Sequence, residues 1–418
     1  MSIELTPVGI ACNLSCSYCY QEPMRDAGNI SAKYDMEAMK RGLEAEGYRF
    51  TLFGGEALLM PLDDMEEILR FGLEKWGGST IQTNGTLLTD EHVEMFGRLN
   101  VSVGVSCEGP GELNDVRWAG SLEKTREATE RTLDAIRMLC AAGRPPSVIV
   151  TLHRGNARPE VRPRLKAWLQ DLAATGVRNV RLHMLEVDDA TVGAALAMSP
   201  EENTACLLDF AAWESESGLT FDITRDMEML LAAADGRGAT CTWNACDPYT
   251  TRAVRGVSGD GSRSNCGRTN KDGVNWRKGE REGFERYLAL YQTPQEHGGC
   301  QGCRFWVVCK GQCPGTALDG DWRNRTRDCA TWFAMAEQAE ATAVAKGQTP
   351  VSLRPDRDRV ERAMIDAWVK GQNLSVAAAV ARAEGREAKS TRAAQHSDTP
   401  HLDTPHIDTP HVDWGGGR

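Results

Sequence analysis

Residues 12–19 read CNLSCSYC and follow a short apolar run, VGIA, at residues 8–11. Three residues separate the thiols of Cys12 and Cys16, and two residues separate Cys16 from Cys19. Thiolates at this spacing can bind three irons of a cubane [4Fe–4S] cluster, because such clusters take cysteine thiolates as ligands. The fourth iron then has no protein ligand and stays open to a small molecule. A zinc ion is the alternative, but it takes four ligands, and no fourth Cys or His lies nearby.

This CxxxCxxC spacing resembles the motif of the radical S-adenosylmethionine (radical SAM) enzymes, in which an aromatic residue, here Tyr18, precedes the third Cys. The resemblance implies one [4Fe–4S] cluster on Cys12, Cys16 and Cys19, with S-adenosylmethionine (SAM) at its open iron. In this family the reduced cluster cleaves SAM to methionine and a 5′-deoxyadenosyl radical, which takes a hydrogen atom from the substrate. An electron donor such as flavodoxin or ferredoxin is therefore an implied partner.

The chain has 418 residues, which is long enough for two or three domains with substantial cores. Its net charge of −11 argues against a nucleic-acid partner, because phosphate binding needs a basic surface. The sequence has no signal-peptide pattern and no apolar run of about 18 residues, so we expect a cytoplasmic protein without a membrane partner. In that reducing compartment the fourteen cysteines indicate metal binding rather than disulfides.

Up to about residue 200, short β-type runs alternate with longer helical runs such as Asp35–Ala45 and Leu62–Glu74. The predicted strands are Ile3–Ile10, Tyr48–Phe53, Ser79–Thr83, Val101–Ser106, Ser147–Leu152 and Val180–Met184. This alternation predicts βαβ units and a parallel sheet, hence an α/β fold class. About six such units fit, which matches the partial (β/α)6 barrel of radical SAM enzymes. We expect the active site at the carboxyl ends of the strands, where the cysteine loop follows the first strand.

Three further strand ends carry motifs that resemble those of radical SAM enzymes. GGE at residues 54–56 follows the second strand and resembles GGEP, with Ala57 in place of the proline. TNG at residues 83–85 and SCEGP at residues 106–110 follow the third and fourth strands, where relatives read TNG and SLDGP. Glycines let a backbone approach a ligand closely, and a Glu carboxylate can accept a hydrogen bond from an ammonium group.

The resemblance implies SAM contacts from Gly54, Gly55, Glu56, Asn84, Ser106 and an arginine, either Arg117 or Arg126. A guanidinium can hold the SAM carboxylate bidentately, and Glu56 suits the SAM amino group. We expect the Glu56 side chain to lie outside the core, because a strand-end carboxylate in a polar loop is a poor core residue. The sequence assigns no catalytic residue.

A second cysteine field lies at residues 241–329. Its core, C-x2-C-x5-C-x3-C, resembles the SPASM domain of radical SAM peptide maturases. That resemblance implies two auxiliary [4Fe–4S] clusters, one on Cys241, Cys246, Cys266 and Cys313, the other on Cys300, Cys303, Cys309 and Cys329. One or two zinc ribbons are the alternative. Sulfatase-maturing relatives carry an Asp after the third auxiliary cysteine that serves as a base, whereas this chain has Gly267 there.

These patterns divide the chain into four regions: a radical SAM partial barrel at 1–215, a SPASM domain at 216–346, a leader-like helical and linker segment at 347–395, and a repeat tail at 396–418. The predicted C-terminal helices are Thr331–Lys346, Arg359–Val369 and Ser375–Ala383. Residues 347–358 contain two prolines, which predicts a linker. Residues 384–395 are polar and low in bulky side chains, which indicates disorder.

The tail repeats with a period of five, HSDTP-HLDTP-HIDTP-HVD, and ends in WGGGR. Three prolines and the lack of a continuous apolar face prevent it from folding by itself. A flexible linker and a metal-storage tail are two interpretations, the second because His and Asp bind divalent ions. The third is a substrate-like peptide joined to the enzyme, since peptide maturases modify short repeated core sequences that follow a leader.

Within each unit the ends are constant and the middle residue varies, which resembles the substrates of three-residue cyclophane-forming maturases. In those substrates an aromatic ring is joined to the β-carbon of the residue two places on. The candidate pairs are His396 and Asp398, His401 and Asp403, His406 and Asp408, and His411 and Asp413. We therefore expect a radical SAM/SPASM peptide maturase that forms His-to-Asp carbon–carbon crosslinks, with its own tail as a candidate peptide substrate. The alternatives are epimerisation, thioether formation, sulfatase-type maturation, or a non-enzymatic Fe–S or metal-binding protein.

Overall fold

The computed structural model describes residues 2–30, 33–186, 190–235, 239–270, 273–277, 279 and 281–386. The repeat tail, with every predicted crosslinking residue from His396 to Asp413, lies outside these described residues. So do residues 387–395 of the stretch predicted to be disordered.

The strands of the described residues form one sheet. They are β1 Ser2–Thr6, β2 Phe50–Leu52, β3 Ser79–Thr83, β4 Val101–Ser106, β5 Ser147–Leu152, β6 Asn179–Met184, β7 Thr220–Phe221, β8 Val254–Ser258 and β9 Arg263–Ser264. Their order across the sheet is β7-β6-β5-β4-β3-β2-β1-β8-β9. Neighbouring strands run parallel, except for the antiparallel pair β8 and β9. The sheet does not close, because β7 and β9 are its two edges, and this confirms the predicted α/β class with a partial barrel.

Helices connect the parallel strands, as βαβ units require. In the described residues they are α1 Glu22–Asp26, α2 Met36–Glu46, α3 Leu62–Trp76, α4 Asp90–Arg98, α5 Leu122–Ala141, α6 Arg154–Ala157, α7 Arg162–Thr175, α8 Ala190–Leu196, α9 Pro200–Ser217, α10 Asp222–Leu231, α11 Glu285–Gln292, α12 Trp306–Cys309, α13 Cys329–Ala345, α14 Arg357–Val369 and α15 Val376–Ala383. None of these helices has the length and apolar composition needed to cross a membrane.

The first strand ends at Thr6, earlier than the predicted end at Ile10. The chain turns at Gly9, where φ is +63° and the N–H donates to the Thr6 carbonyl oxygen at 3.2 Å. A Cβ at position 9 would lie 2.2 Å from the Asn29 carbonyl oxygen, so only glycine fits there. The early turn directs the cysteine loop across the carboxyl edge of the sheet.

The two faces of β1 differ in polarity. Ile3 and Leu5 are fully buried in the main hydrophobic core. Glu4 and Thr6 alternate with them and therefore point to the opposite, concave face of the sheet, where both line cavities. The sheet thus presents an apolar face to its helices and a polar face to the space that it partly encloses.

Residues beyond the predicted first region complete this sheet. β8 pairs in parallel with β1 from Ser2 opposite Val254 onwards, so the predicted SPASM region contributes strands to the barrel sheet. Arg255 of β8 forms a buried ion pair with Glu46 of α2, with Nη1 2.9 Å from Oε2. The domain boundary at residue 215 stays a prediction, and the sheet itself crosses it.

The C-terminal helices pack against the cysteine-rich region. Trp368 of α14 is 2% exposed, stacks on Phe284 with ring centroids 5.8 Å apart, and meets the edge of Trp306 at 5.3 Å. The stretch predicted as a linker contains a short 3₁₀ turn, Val351–Leu353, in which Val351 is buried. The apolar side chain between the two prolines therefore fixes this stretch to the protein instead of leaving it free.

Trp368→Ala should lower the free energy of unfolding by about 3–5 kcal/mol, the usual effect of deleting a large buried aromatic ring. Val369→Ala is the matched control, because the adjacent Val369 is 65% exposed and its loss should change stability by no more than about 0.5 kcal/mol. Denaturant titration of both variants makes the comparison. Equal stabilities would show that α14 is not part of the folded core.

Candidate functional site

A cavity of about 280 Å³ lies at the carboxyl ends of the central strands. Its lining includes Gly54 after β2, Asn84 after β3, Ser106 at the end of β4 and His183 near the end of β6. Because parallel strands end at the same edge of a sheet, residues far apart in sequence meet here. We call this space the central cavity.

The cysteine loop crosses one wall of the central cavity and is anchored by backbone hydrogen bonds. Ser15 N–H donates to the Trp118 carbonyl oxygen at 2.7 Å, and Ser17 N–H donates to the Val116 carbonyl oxygen at 2.9 Å. The Asn13 side-chain amide donates to Thr86 Oγ1 at 2.8 Å. The segments after β3 and β4 therefore hold the loop in place.

The thiols of Cys12, Cys16 and Cys19 all line this cavity. Burial raises the pKa of Cys16 to about 11, Arg117 opposes that rise, and the two neighbouring thiols add to it. Burial also raises the pKa of Cys12, with Arg117 again opposing. The three thiols and the guanidinium thus share one electrostatic environment, in which a bound metal replaces the thiol protons.

Arg117 belongs to a buried group that the sequence patterns did not reveal. Its Nη1 donates to Tyr18 Oη at 3.0 Å and to Glu108 Oε1 at 3.1 Å, and the Tyr18 hydroxyl also donates to Glu108. Glu108 is 1% exposed, and its Oε2 accepts from Thr151 N–H at 2.6 Å. The available signal was the Glu of SCEGP, which stands where relatives have the Asp of SLDGP.

The two arginines that are candidates for binding the SAM carboxylate, Arg117 and Arg126, lie in different places. Arg117 lines the central cavity, and its buried Nε has no hydrogen-bond partner among the described residues, so this donor is available to a ligand. Arg126 instead forms a two-point ion pair with Asp115 on the surface, with Nη2 2.6 Å from Oδ2. Arg117 is thus the better placed of the two.

Glu56 is 1% exposed, so the expectation that its side chain lies outside the core is wrong. Its carboxylate accepts from Thr83 Oγ1 at 2.6 Å, from Asn84 N–H at 2.7 Å and from Leu58 N–H at 3.0 Å. Burial raises the Glu56 pKa, and these hydrogen bonds oppose the rise. Three donors make burial of the carboxylate tolerable. Its predicted contact with an ammonium group stays a prediction.

The glycines after β2 allow two backbones to touch. A Cβ on Gly55 would lie 2.1 Å from the Ala11 carbonyl oxygen, and Gly54 has a φ of +130°. Glu56 N–H donates to that same Ala11 oxygen at 2.8 Å. The GGE motif therefore packs directly on the start of the cysteine loop, while Gly54 and Gly55 also line the cavity.

Asn84 and Ser106, the other two predicted SAM contacts, also line the cavity. The Asn84 side-chain amide donates to Asn13 Oδ1 at 2.9 Å, which ties β3 to the cysteine loop. Ser106 Oγ accepts from Gln82 Nε2 at 2.9 Å. Both side chains are therefore held in fixed orientations at the cavity wall.

The eight cysteines of the second field separate into two groups. Cys241, Cys246, Cys266 and Cys313 line the central cavity. The other four cysteines lie away from this cavity and close to one another. Burial raises the pKa of Cys300 to about 12, and Cys303 and Cys329 add to the rise. Burial also raises the pKa of Cys309, with Cys300, Cys329 and Cys303 adding to it. These groups match the two sets that the family resemblance implied, and their role as ligands stays a prediction.

All three cysteine groups offer thiols only, which is the donor set that iron–sulfur clusters take. Within residues 2–386, gaps excepted, no three His, Cys, Asp or Glu side chains converge on one metal-ion position. The fit to clusters therefore rests on the donor set alone, and the ligand roles of these cysteines stay a prediction.

Charged side chains between the two cysteine groups form the far wall of the central cavity. Arg268 Nε lies 3.0 Å from Glu186 Oε2, and its Nη2 lies 3.5 Å from His183 Nδ1. Burial, with help from Arg268 and Arg181, lowers the His183 pKa well below its usual value, so this imidazole is neutral. The sequence analysis missed these residues; the available signal was the alternation of Arg181 and His183 along β6.

A model of the radical SAM superfamily matches residues 6–166. The chain is 36% identical to the serine-type anaerobic sulfatase-maturating enzyme of Bacteroides thetaiotaomicron over 27% of this chain and 30% of that protein. It is 29% identical to the sporulation killing factor maturation protein SkfB of Bacillus subtilis over 35% of each chain. The matched stretch thus spans about a third of each of these two relatives, and it makes residues 6–166 similar to the radical SAM superfamily.

Solved structures share the fold over a longer part of the chain. Native anSMEcpe with bound AdoMet and the Cp18Cys peptide superposes with a TM-score of 0.61 at 16% identity, over 82% of this chain and 98% of that one. SuiB of Streptococcus suis bound to the precursor peptide SuiA gives a TM-score of 0.51 at 13% identity, over 78% of this chain and 75% of SuiB. Both comparisons extend the radical SAM fold beyond residue 166.

Glu56→Ala should destabilise the protein, because it leaves three buried donors without their acceptor, each costing about 1–3 kcal/mol. The melting temperature without SAM measures this effect. Glu66→Ala is the control, since Glu66 pairs with Arg70 and Arg98 on the surface and should cost no more than about 1 kcal/mol. Equal melting temperatures for the two variants would show that the Glu56 side chain does not join the strand ends. SAM affinity, measured on folded Glu56→Ala, tests the ammonium contact separately.

Proposed function

We propose that this chain is a radical SAM peptide maturase that forms carbon–carbon crosslinks between His and Asp in His-x-Asp units. One observation carries the proposal: Cys12, Cys16 and Cys19 share one cavity with a second group of four cysteines. A SAM-binding cluster and an auxiliary cluster would then face the same substrate. The homology to maturases named for proteins and peptides supports a substrate of that class.

Each predicted cofactor has a set of candidate ligands. Cys12, Cys16 and Cys19 would hold the cluster that binds SAM, and Arg117 with its free Nε would hold the SAM carboxylate. When bound, the cluster and SAM supply a 5′-deoxyadenosyl radical that removes a hydrogen atom from a substrate carbon. The two further cysteine groups would hold auxiliary clusters, and a flavodoxin or ferredoxin would supply electrons.

The surrounding residues position these groups and keep their charges balanced. Glu108 and Tyr18 fix the Arg117 guanidinium next to the thiolates, whose negative charge it offsets. The Arg25 Nη2 atom lies 3.9 Å from Cys19 Sγ and adds a second cation on that side. The two guanidinium groups would offset the negative charge of a bound anionic ligand.

The far wall of the central cavity carries two arginines, and both are paired with carboxylates. The Arg181 side chain is 41% exposed and its Nε contacts Asp222 at 2.9 Å, while Arg268 Nε lies 3.0 Å from Glu186 Oε2. Each repeat of the tail contains one Asp, and the tail from residue 396 has four Asp but only one Arg. The repeat pattern, rather than the charge of this wall, supports the tail as a candidate substrate, whether joined to the enzyme or presented by another peptide.

The crosslink balances as a two-electron oxidation of the peptide. A carbon of the His ring and the Asp β-carbon each lose one hydrogen and become bonded to each other. To balance, one hydrogen would leave as a hydrogen atom and the other as a proton and an electron; bound SAM would supply the acceptor of the hydrogen atom, and an auxiliary cluster would supply the acceptor of the electron.

Sulfatase-type maturation is the second candidate, because two curated relatives are named as sulfatase-maturating enzymes of the serine and cysteine types. The base that those enzymes carry after the third auxiliary cysteine is replaced here by Gly267. This chain would need another base for that reaction, and the tail repeats would have no role in it.

Anaerobic reconstitution should load about twelve irons per chain, four for each cluster. Replacing Cys12, Cys16 and Cys19 by Ala should remove about four irons and abolish 5′-deoxyadenosine formation from SAM, while the auxiliary iron stays. Iron analysis and chromatography of the nucleoside measure the two effects. Cys140→Ser, at a cysteine outside all three groups, is the control and should change neither. Bound zinc with about four irons would exclude the auxiliary clusters.

Turnover with SAM should lower the mass of the tail by about 2 Da for each closed ring, and by roughly 8 Da when all four units react. Tandem mass spectrometry locates each loss. Asp403→Gly should abolish the loss in its own unit, because glycine has no β-carbon, and leave the other units able to react. A tail of unchanged mass, or a loss that persists in the altered unit, would contradict the proposed bond.

A further inference from the structure

A second cavity of about 510 Å³ adjoins the central one. It lies on the concave face of the sheet at β1, β8 and β9, and two of these strands, β1 and β8, also contribute to the central cavity. Glu4, Gln21 and Phe53 line both spaces, so the two cavities are separated by single side chains. We call this space the lateral cavity.

Small side chains on the added strands leave this space open. Gly256 and Ser258 of β8 and Ser264 of β9 form its floor. A Cβ at Gly256 would come within 2.3 Å of Ser264 Oγ, so the glycine leaves room for the serine side chain in its present position. A volume above about 300 Å³ is of the size that binds ligands rather than single waters.

Apolar side chains surround the entrance of the lateral cavity. Ile30 is 51% exposed and Val274 is 47% exposed, and both line the cavity. Trp276, 46% exposed, follows Val274 by two residues, and its carbonyl oxygen accepts at 2.7 Å from the N–H of Asn265, which lines the cavity. The Asn29 side chain donates to the Gly273 carbonyl oxygen at 2.8 Å and joins the two segments of the rim. Large exposed apolar groups gathered at one place indicate a binding surface.

We propose that the lateral cavity binds the repeat unit next to the one that reacts in the central cavity, and that its occupant is the tail of the same chain, residues 396–413. The inference rests on the proposed function, since it assumes that the tail enters the central cavity. Its middle residues Leu402, Ile407 and Val412 are the apolar groups that the rim would contact.

The repeat period sets the spacing of neighbouring units along the tail. Five residues span about 16–18 Å when extended, and proline disfavours a helix. Two neighbouring units would therefore reach adjoining cavities along an extended stretch. The described chain ends at Arg386, which leaves nine residues before His396, and the ten steps from Arg386 to His396 span at most about 36 Å.

Holding the adjacent unit has a kinetic consequence. While one unit reacts, the next is already bound beside the cavity, so its effective concentration is high. Tails that acquire one ring should then acquire the rest before release, and fully modified tails should accumulate with few intermediates. Ser397 gives the first unit a polar middle residue, and that unit should be the weakest occupant of the lateral cavity.

Photo-crosslinking tests occupancy without requiring turnover. The full chain carries p-benzoylphenylalanine in place of Val274, or in place of Val344 as control, since Val344 on α13 is 49% exposed and lies outside both cavities. We expect crosslinks from position 274 to residues 401–413 within one chain, and about fivefold less or none from position 344. Equal yields, no tail product, or crosslinks only between two chains would overturn the proposal.

The second test measures the distribution of rings. The Val274→Ser/Trp276→Ser variant should lower the ratio of fully to singly modified tails by about fivefold, while SAM cleavage and the melting temperature stay as in the wild type. Val344→Ser should leave the ratio unchanged. An unchanged ratio in the double variant would overturn the lateral site even if all four rings form. If no ring forms in the wild type, the proposed crosslink fails, and the photo-crosslinks alone decide whether the tail is bound.

Discussion

The buried carboxylate of Glu56 joins the ends of three strands, and the arrangement of the site depends on it. Its side chain accepts from the end of β3 through Thr83 and Asn84, and its own N–H donates to Ala11 at the start of the cysteine loop. A carboxylate in this position is stable only while all its donors are present, because an ionised group without partners is costly to bury. The same contacts therefore fix the cysteine loop and the cavity wall relative to each other.

A comparable constraint separates the two auxiliary cysteine groups. Cys309 and Cys313 belong to different groups, and the three residues between them, Lys310 to Gln312, all have left-handed φ values of 52°, 74° and 58°. Two of these residues are not glycine, so the turn stores strain of order 1 kcal/mol at each. The buried Lys310 ammonium also donates to the Trp243 carbonyl oxygen at 3.0 Å, next to Cys241. This turn sends consecutive cysteines to opposite sides and ties the two groups together.

Much of this arrangement could be predicted from local sequence, and the remainder depends on distant contacts. The bounds of β3, β4 and β5 were predicted correctly, because each is a short β-type run bounded by turn residues. The choice between Arg117 and Arg126 could not be made, since both follow β4 and only the folded loop shows which one faces the thiols. The burial of Glu56 and the addition of β8 to the sheet both depend on partners far away in the chain. The periodicity of apolar residues along the sequence does not reveal such partners. The assignment of the auxiliary cysteines to two clusters came from the family resemblance and stays a prediction, since spacing alone left zinc and iron open.

The pairing of β1 with β8 has a consequence for the order of events during synthesis. β1 can pair with β2 once residue 52 has left the ribosome. The other edge of β1 can pair only after β8, which begins at Val254, has been synthesised. At about 5–20 residues per second the wait lasts roughly 10–40 s, during which β1 is an open edge strand. The cysteine loop follows directly from that strand, and Cys241, Cys246 and Cys313 on the opposite wall also appear late. The first metal-binding motif in the chain is thus among the last parts of the protein to reach its final surroundings, and iron delivered to it before then would meet an unfinished cavity.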